Sequence, residues 1–498
     1  MAPLTYAHQR KWSIDGFEEV EAALRRHDGV ARAAVVSHEN RAGERRLVAY
    51  VVPDVPDAAV TKHVEKWRAV YDSMYGDTAP ETTGIGDDFT GWNSSYTREP
   101  IPLSEMRQWR ASAVERVRGL GVRRVLEIGV GSGLLLGPLA LEAEVYWGTD
   151  FSEPVIERLG AQVGMDPRLR DKVTLRCQPA DDADGLPTEY FDTVLLNSVV
   201  QYFPDAAYLS GVLDVALQRL APGGRIVIGD VRNHGTMQQF LTAVHHAQRP
   251  GDEPSAVRAA VARAILGETE LGLDPGYFTE WADAHDDIVA VDVRLKPGSD
   301  GNELTRHRYE VVLHKRSSRP THLADVPIVL WGSDVHQVSG LEAELARHGG
   351  RLRLTRIPNA RLVSEAAECG VPATAQKETP LDPHALEAWG EEHGLAVLCT
   401  WSAEAPGWFE AVIVPEDGLR CYGGVYRPMD TRARPLANAP AVSRKASRLP
   451  AVLRRDLAAE LPDDLLPDDI MVVACMPLTA GGEVDHAALP EPERADGQ

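Results

Sequence analysis

VLEIGVGSG, residues 125–133, runs an apolar segment into a turn that holds three glycines, with Glu127 just ahead of it. Glycine permits a tight reversal at positive φ and, lacking a Cβ, lets a ligand approach the backbone. The helix expected next, LLLGPLALEA (residues 134–143), offers unpaired N–H groups at its start. Gly129, Gly131 and Gly133 alone fit a dinucleotide site, a methyl-donor site or a tight packing turn. Two neighbours sharpen the choice. Asp150 closes the following strand, VYWGTD, at the spacing where a carboxylate receives ribose hydroxyls. The spacing G-x-G-x-G departs from the G-x-G-x-x-G of pyrophosphate sites, and Glu127 repels a pyrophosphate but suits the cationic end of S-adenosylmethionine. The expected ligand is therefore the sulfonium methyl donor, with Phe151 beside Asp150 in its pocket.

Outward from the turn, apolar strands alternate with amphipathic helices: RRVLEIGV, LLLGPLALEA, VYWGTDFS, PVIERLGAQVG, KVTLRC, FDTVLLNSVV, YLSGVLDVALQRLAPGG and RIVIGDV. Such alternation predicts a parallel sheet covered on both faces, with ligand crevices at the carboxyl ends of its strands. At those ends stand Asp181, in QPADDADG, an acceptor for an adenine amino group or part of a solvated acidic loop, and Asn197, where the donor methyl points or where a turn needs a cap. ELTRHRYEVVLHKR reads as a closing strand. Beyond it, residues 318–438 alternate again (PIVLWGS, LEAELARHGG, RLRLTRIP) without a recognisable chemistry.

The flanks differ from this middle. Residues 1–58 hold one helix (FEEVEAALRRHDGV) and two strands (ARAAVVS, RLVAYVVP), too little core to stand alone. Residues 439–498 offer the missing partner: a helix, SRLPAVLRRDLAAELP, and a short strand, IMVVACMP. Between them, 59–317 is expected to be one domain, and 498 residues allow two or three domains in all. A net charge of -22, from 52 basic and 74 acidic residues, disfavours nucleic acid and anionic membrane as partners. Five scattered cysteines suggest neither disulfides nor a thiolate metal site, and no metal is expected. No run approaches the roughly 18 apolar residues of a membrane span, and no secretion signal opens the chain, so a cytoplasmic location is expected.

The series GWNSSYTREPIP, VLEIGVGSGLLL, LNSVVQYFP, GGRIVIGDVR and NELTRHRYEVVLHK resembles the methyltransferase domains embedded in nonribosomal peptide synthetases, mostly backbone N-methyltransferases. GFEEVEAALRRHDGVARAAVVSHENRAGERRLVAYVVP and PLTAGGEVDHAALP resemble the two halves of an adenylation domain's small C-terminal subdomain, which such methyltransferases interrupt. The resemblance implies an α/β fold, a Rossmann-like class I S-adenosylmethionine-dependent methyltransferase inserted in a small α+β subdomain formed by the two chain ends. It implies methylation of an amino acid or of an aminoacyl group on a carrier protein, and docking to synthetase modules. Glu483 stands where the family's G-K-V-D pattern has its catalytic lysine, so adenylation is not expected.

Methyl transfer from a sulfonium needs chiefly alignment and exclusion of water. An α-amino acceptor, with a pKa of about 7.7 to 8, needs little help to become neutral. Candidate orienting or deprotonating groups are Gln201, His234 and Glu303, with Tyr202, Arg232 and Asn302 lining the acceptor. Trp92 and Tyr96 are expected as a lid over the donor or as core aromatics. Methylation on carbon would ask more of His234 or Glu303 as a base, and methylation on oxygen shares the donor pocket. A non-catalytic scaffold would have lost the donor site, whose residues are all present.

Overall fold

The structure is a computed structural model, and the residues described are 14–39, 45–76, 84–298, 301–369, 378–416, 418, 421–429, 435–473, 476, 484–486 and 489. Glu483 lies outside them. The chain divides into two compact units, one made of Met1–His63, Leu266–Thr269 and Asp430–Gln498, the other of Val64–Ile265 and Glu270–Met429.

The first unit joins segments from both ends of the sequence. Helix α1 (Ile14–Arg25) precedes strands β1 (Val30–Glu39) and β2 (Arg45–Pro53), which pair antiparallel. The strand Asp469–Val472 adds to the other edge of β2 in parallel, Ile470 opposite Ala49. One face of the sheet, Leu47, Ala49 and Val51, packs with Val20, Ala23 and Leu24 of α1 and with Leu449, Leu453 and Leu457 of the helix Leu449–Glu460. Those three leucines recur every fourth residue, so they form one stripe on that helix.

The second unit begins within α2 (Asp57–Gly76) and continues through α3 (Leu103–Gly119), β3 (Arg124–Ile128), α4 (Leu136–Glu142), β4 (Val145–Asp150), α5 (Glu153–Met165), β5 (Val173–Cys177), β6 (Phe191–Asn197), α6 (Ala206–Arg219) and β7 (Leu220–Arg232). Residues 237–295, to which the pattern reading gave no elements, supply α7 (Met237–Gln248), α8 (Pro254–Gly267), α9 (Gly276–Asp283) and β8 (Ile288–Leu295). A single-turn α10 (Glu303–Arg306) leads into β9 (Arg308–Lys315). The seven strands lie in the order β5-β4-β3-β6-β7-β9-β8. All are parallel except β9, which runs against both β7 and β8. Strand order reverses between β3 and β6, which places the ligand crevice at their carboxyl ends. Beneath it, Val125, Tyr146, Leu195 and Val227 of the sheet pack on Leu135, Leu139 and Ala140 around α4 and on Leu159 and Val163 of α5.

Residues 318–429 fall in this same unit. They carry a four-stranded sheet in the order Ile328–Leu330, Leu352–Pro358, Trp408–Pro415, Leu395–Trp401. Among the described residues no helix is long and apolar enough to cross a membrane.

Candidate active site

Gly129, Gly131 and Gly133 adopt φ of 76°, 50° and 79°. A Cβ at Gly129 would lie 2.4 Å from Val199 Cγ2, and one at Gly133 would lie 2.9 Å from Leu159 Cδ1. At Gly131 the nearest atom is Tyr75 Oη at 3.9 Å. The turn thus closes on the protein at its two ends and is open at its middle glycine.

Asp150 ends β4 and braces that turn. Its Oδ2 accepts the Gly131 N–H at 3.0 Å and its Oδ1 accepts the Ser152 N–H at 3.0 Å. Each oxygen retains a further lone pair for a ligand hydroxyl. Burial pushes the Asp150 pKa up to about 6 against those two bonds. Glu127 is 3% exposed, and Tyr146 Oη donates to its Oε2 at 2.7 Å. Burial pushes its pKa up to about 8, against the bond from Tyr146.

The crevice has a roof that the sequence reading did not assign. Trp67, Tyr71 and Tyr75 recur every fourth residue along α2, a spacing that puts them on one face and was available as a signal. Tyr71 stacks on Tyr75 with centroids 6.0 Å apart, and stands 6.1 Å from Phe151 and 5.3 Å from Tyr202. Trp67 lies 4.6 Å from Tyr202, and the Arg158 guanidinium sits 4.9 Å over Tyr75. Asp72 of α2 accepts from Ser152 Oγ at 2.6 Å, next to Asp150.

Trp92, expected as a lid or core aromatic, packs 4.5 Å from Trp109 in a cluster with Phe89 and Leu134. Tyr96 donates to Glu365 Oε1 at 3.1 Å and meets the Phe240 ring edge-on. Asp181 is exposed and accepts from Tyr208 Oη at 2.7 Å.

The opposite wall is built at the carboxyl ends of β6 and β7. The segment at Leu271 and Leu273 lies along it: Leu271 N–H donates to the Gln201 carbonyl at 2.7 Å, Leu273 N–H to that of Arg232 at 2.8 Å, and His234 N–H to that of Leu273 at 3.1 Å. The Gln201 side chain is 2% exposed, and its Oε1 is buried without a hydrogen-bond partner. Arg232 pairs with Glu270 at 2.7 Å and lies 5.3 Å over Phe240. Asn302 caps α10, its Oδ1 accepting from Leu304 and Thr305 N–H, while its Nδ2 donates to Glu105 at 2.7 Å. Glu303 receives Ser94 Oγ at 2.9 Å and Ser95 N–H at 2.7 Å, one on each oxygen.

Three contributors to this wall lie outside the sequence-based set. Asp230, fully buried, takes bonds from Trp109 Nε1, Ser198 Oγ and Arg308 Nη1. Burial alone would raise its pKa, but Arg308 and Lys296 outweigh that and hold it below the usual range. Glu365, from the short helix Val363–Glu368, receives Arg306 at 2.9 Å and lies 2.7 Å from His307 Nε2. Lys296 pairs with Glu310 at 3.1 Å. Among the described residues no cluster of His, Cys, Asp or Glu is arranged to hold a metal.

A seven-stranded sheet with one antiparallel strand, a glycine turn after β3 and a carboxylate closing β4 define a class I S-adenosylmethionine-dependent methyltransferase. Residues 126–226 match the methyltransferase domain family, and residues 19–72 match the AMP-binding enzyme C-terminal domain. The chain is 41% identical over 483 residues to a probable nonribosomal peptide synthetase, CymA, of Salinispora arenicola, covering 95% of this chain and 6% of that protein. It is 34% identical over 518 residues to chondramide synthase of Chondromyces crocatus, covering 96% of this chain and 13% of that one. It therefore spans a small fraction of the curated relatives it matches. Among solved structures, the CcbJ methyltransferase of Streptomyces caelestis is 17% identical, with a TM-score of 0.33, over 49% of this chain and 99% of that one. The chain joins a methyltransferase domain to a fragment of an AMP-binding enzyme's C-terminal domain, and it is similar to nonribosomal peptide synthetases.

Proposed function

We propose that this protein N-methylates the amino group of an amino acid unit held as an acyl group on a carrier protein of a peptide synthetase, with S-adenosylmethionine as donor. The donor side fits a cationic nucleoside. The open glycine turn admits it at Gly131, Asp150 receives its ribose hydroxyls, and Glu127 faces its ammonium end. Tyr71, Tyr75 and Phe151 supply aromatic surface for a sulfonium, an arrangement that attracts cations. The donor brings its own leaving group, so these residues align it and exclude water.

The observation that carries the acceptor assignment is that the cations of the facing wall are already neutralised. Arg232 faces Glu270, Arg306 faces Glu365, Arg308 faces Asp230 and Lys296 faces Glu310. A free amino acid brings a carboxylate that such a wall does not welcome; a carrier-bound thioester is neutral there. Nitrogen is favoured over carbon because a carbon acid would need His234 or Glu303 as a strong base, and Glu303 already accepts from Ser94 and Ser95. An amine near its pKa needs no such base.

The test incubates the protein with labelled donor and a panel of free amino acids and aminoacyl N-acetylcysteamine thioesters, then locates the methyl by fragmentation. Label on the nitrogen of a thioester is expected. Label on carbon or oxygen, or on free amino acids alone, overturns the reading.

A further inference from the structure

Asn197 closes β6, in register with Gly229 of β7, and Ser198 follows it. Ser198 at φ 56° and the next β7 residue, Asp230, at φ 65° both have left-handed backbone although neither is glycine. Asp230 falls where β7 slips register against β9, between Ile228 and Val231. Such conformations cost about 1–3 kcal/mol each and persist where the surroundings hold them. Here the surroundings are a chain of hydrogen bonds with one direction.

The Asp230 carboxylate, held ionised between Arg308 and Lys296, can only accept. Trp109 Nε1 donates to its Oδ1 at 3.2 Å and Ser198 Oγ to its Oδ2 at 2.8 Å. The one hydroxyl proton of Ser198 is thereby directed at Asp230, which leaves Ser198 Oγ as an acceptor for Asn197. Asn197 Nδ2 donates to it at 3.1 Å. The Asn197 amide cannot turn over without setting its oxygen against the lone pairs of Ser198. Its Oδ1 lies over Gly229, where a Cβ would come within 2.0 Å, and so β7 needs glycine at that position.

We infer that Asp230, acting through Ser198, is a positioning residue that locks the Asn197 amide with its oxygen available to the methyl acceptor. The site then takes an acceptor whose nucleophile carries a donor hydrogen, as an amine does. It disfavours a carbanion or enolate, which would need a donor in that place. This deepens the amine reading and rests on it for the identity of the acceptor, while the locked amide can be tested without turnover.

The experiment uses the full chain and the variant Ser198→Ala, which breaks the relay and leaves the buried charges intact. Asp230→Asn is the second variant: its carboxamide can donate, so the chain loses its fixed direction. Three quantities are read: calorimetric affinity for S-adenosylhomocysteine, kcat and KM on the aminoacyl thioester panel, and the Asn197 side-chain NH2 signal in protein labelled with 15N-asparagine, assigned by its loss in Asn197→Asp. For Ser198→Ala we expect unchanged S-adenosylhomocysteine affinity and KM, a kcat lower by about tenfold or more, the size of a lost alignment, and an Asn197 signal moved to the position of free amides. Wild-type kcat, or affinity falling in step with kcat, overturns the inference. An unmoved Asn197 signal does so even if no thioester is methylated, whereas a moved signal with methyl found on carbon upholds the lock and sinks only the amine reading.

Discussion

The donor wall draws its groups from one short run of chain, Glu127 to Ser152, and holds them chiefly with backbone, a glycine turn and two amide N–H groups on Asp150, with the Tyr146 phenol on Glu127 beside them. The acceptor wall gathers Asp230, Glu270, Arg308 and Glu365 from distant parts of the sequence and holds them with mutually neutralising ion pairs, while Ser198 and Glu303 are held by hydrogen bonds. The first arrangement is sensitive to volume, because what matters is the room left beside Gly131. The second is sensitive to charge, because removing one member strands its partner away from water.

The comparison breaks first at Asp230. Asp230→Ala leaves the buried Arg308 without its ion-pair partner, while Lys296 keeps Glu310, and should lower the stability of the second unit by roughly 3–5 kcal/mol in denaturant titration. A loss under about 1 kcal/mol would mean that the charges of this wall are not interdependent. On the donor side Gly131→Leu should cost about 1–2 kcal/mol of stability, because the backbone there is left-handed at φ 50° although a Cβ meets nothing closer than 3.9 Å, and it fills the gap beneath Tyr75. S-adenosylhomocysteine affinity should fall about 100-fold or more, some 2.7 kcal/mol by calorimetry. Glu365→Gln keeps the shape of the junction with Tyr96 and Arg306 but removes its charge; about 1–3 kcal/mol of stability should go, with donor affinity unchanged.

The smallest effect is one of pH, and it sharpens the contrast. Glu127, with a pKa near 8, holds a proton that must leave when the ligand's ammonium arrives. Affinity for S-adenosylhomocysteine should rise with pH up to about 8, by at most about tenfold per unit, with proton release seen as a buffer-dependent heat. The sign for the ligand-free protein is opposite. The folded-state pKa lies above the ordinary carboxyl value of 4.5, so this contribution to stability is complete below about 4.5 and is lost as pH rises towards 8. Glu127→Gln should remove both trends.

The difference between the walls also explains what the sequence discloses. A backbone turn declares itself, since Gly129, Gly131 and Gly133 are neighbours in the chain and Asp150 follows one strand later. The roof is half visible: HVEKWRAVYDSMYG reads as a helix, and only the recurrence of Trp67, Tyr71 and Tyr75 hints at a shared face. The acceptor wall hides, because its identity lies in pairings. Asp230 is one polar break in RIVIGDV, Arg308 begins an ordinary strand, and Glu365 sits in a stretch without a motif. Glu303 and Asn302 draw notice as polar residues beside the closing strand, yet in the fold one fastens the loop at Ser94 and Ser95 and the other caps α10. A carboxylate's employment depends on who stands opposite, and spacing along the chain does not record that.

The placement of β2, flanked by β1 on one edge and by Asp469–Val472 on the other, bears on how this protein can be handled. Trimming the C-terminal segment alone would strip Leu449, Leu453 and Leu457 from the shared core and bare a strand edge bearing Val48, Tyr50 and Val51, a template for aggregation. A shortened methyltransferase must therefore be cut at both termini together, or the remnant will be the least soluble part of the preparation.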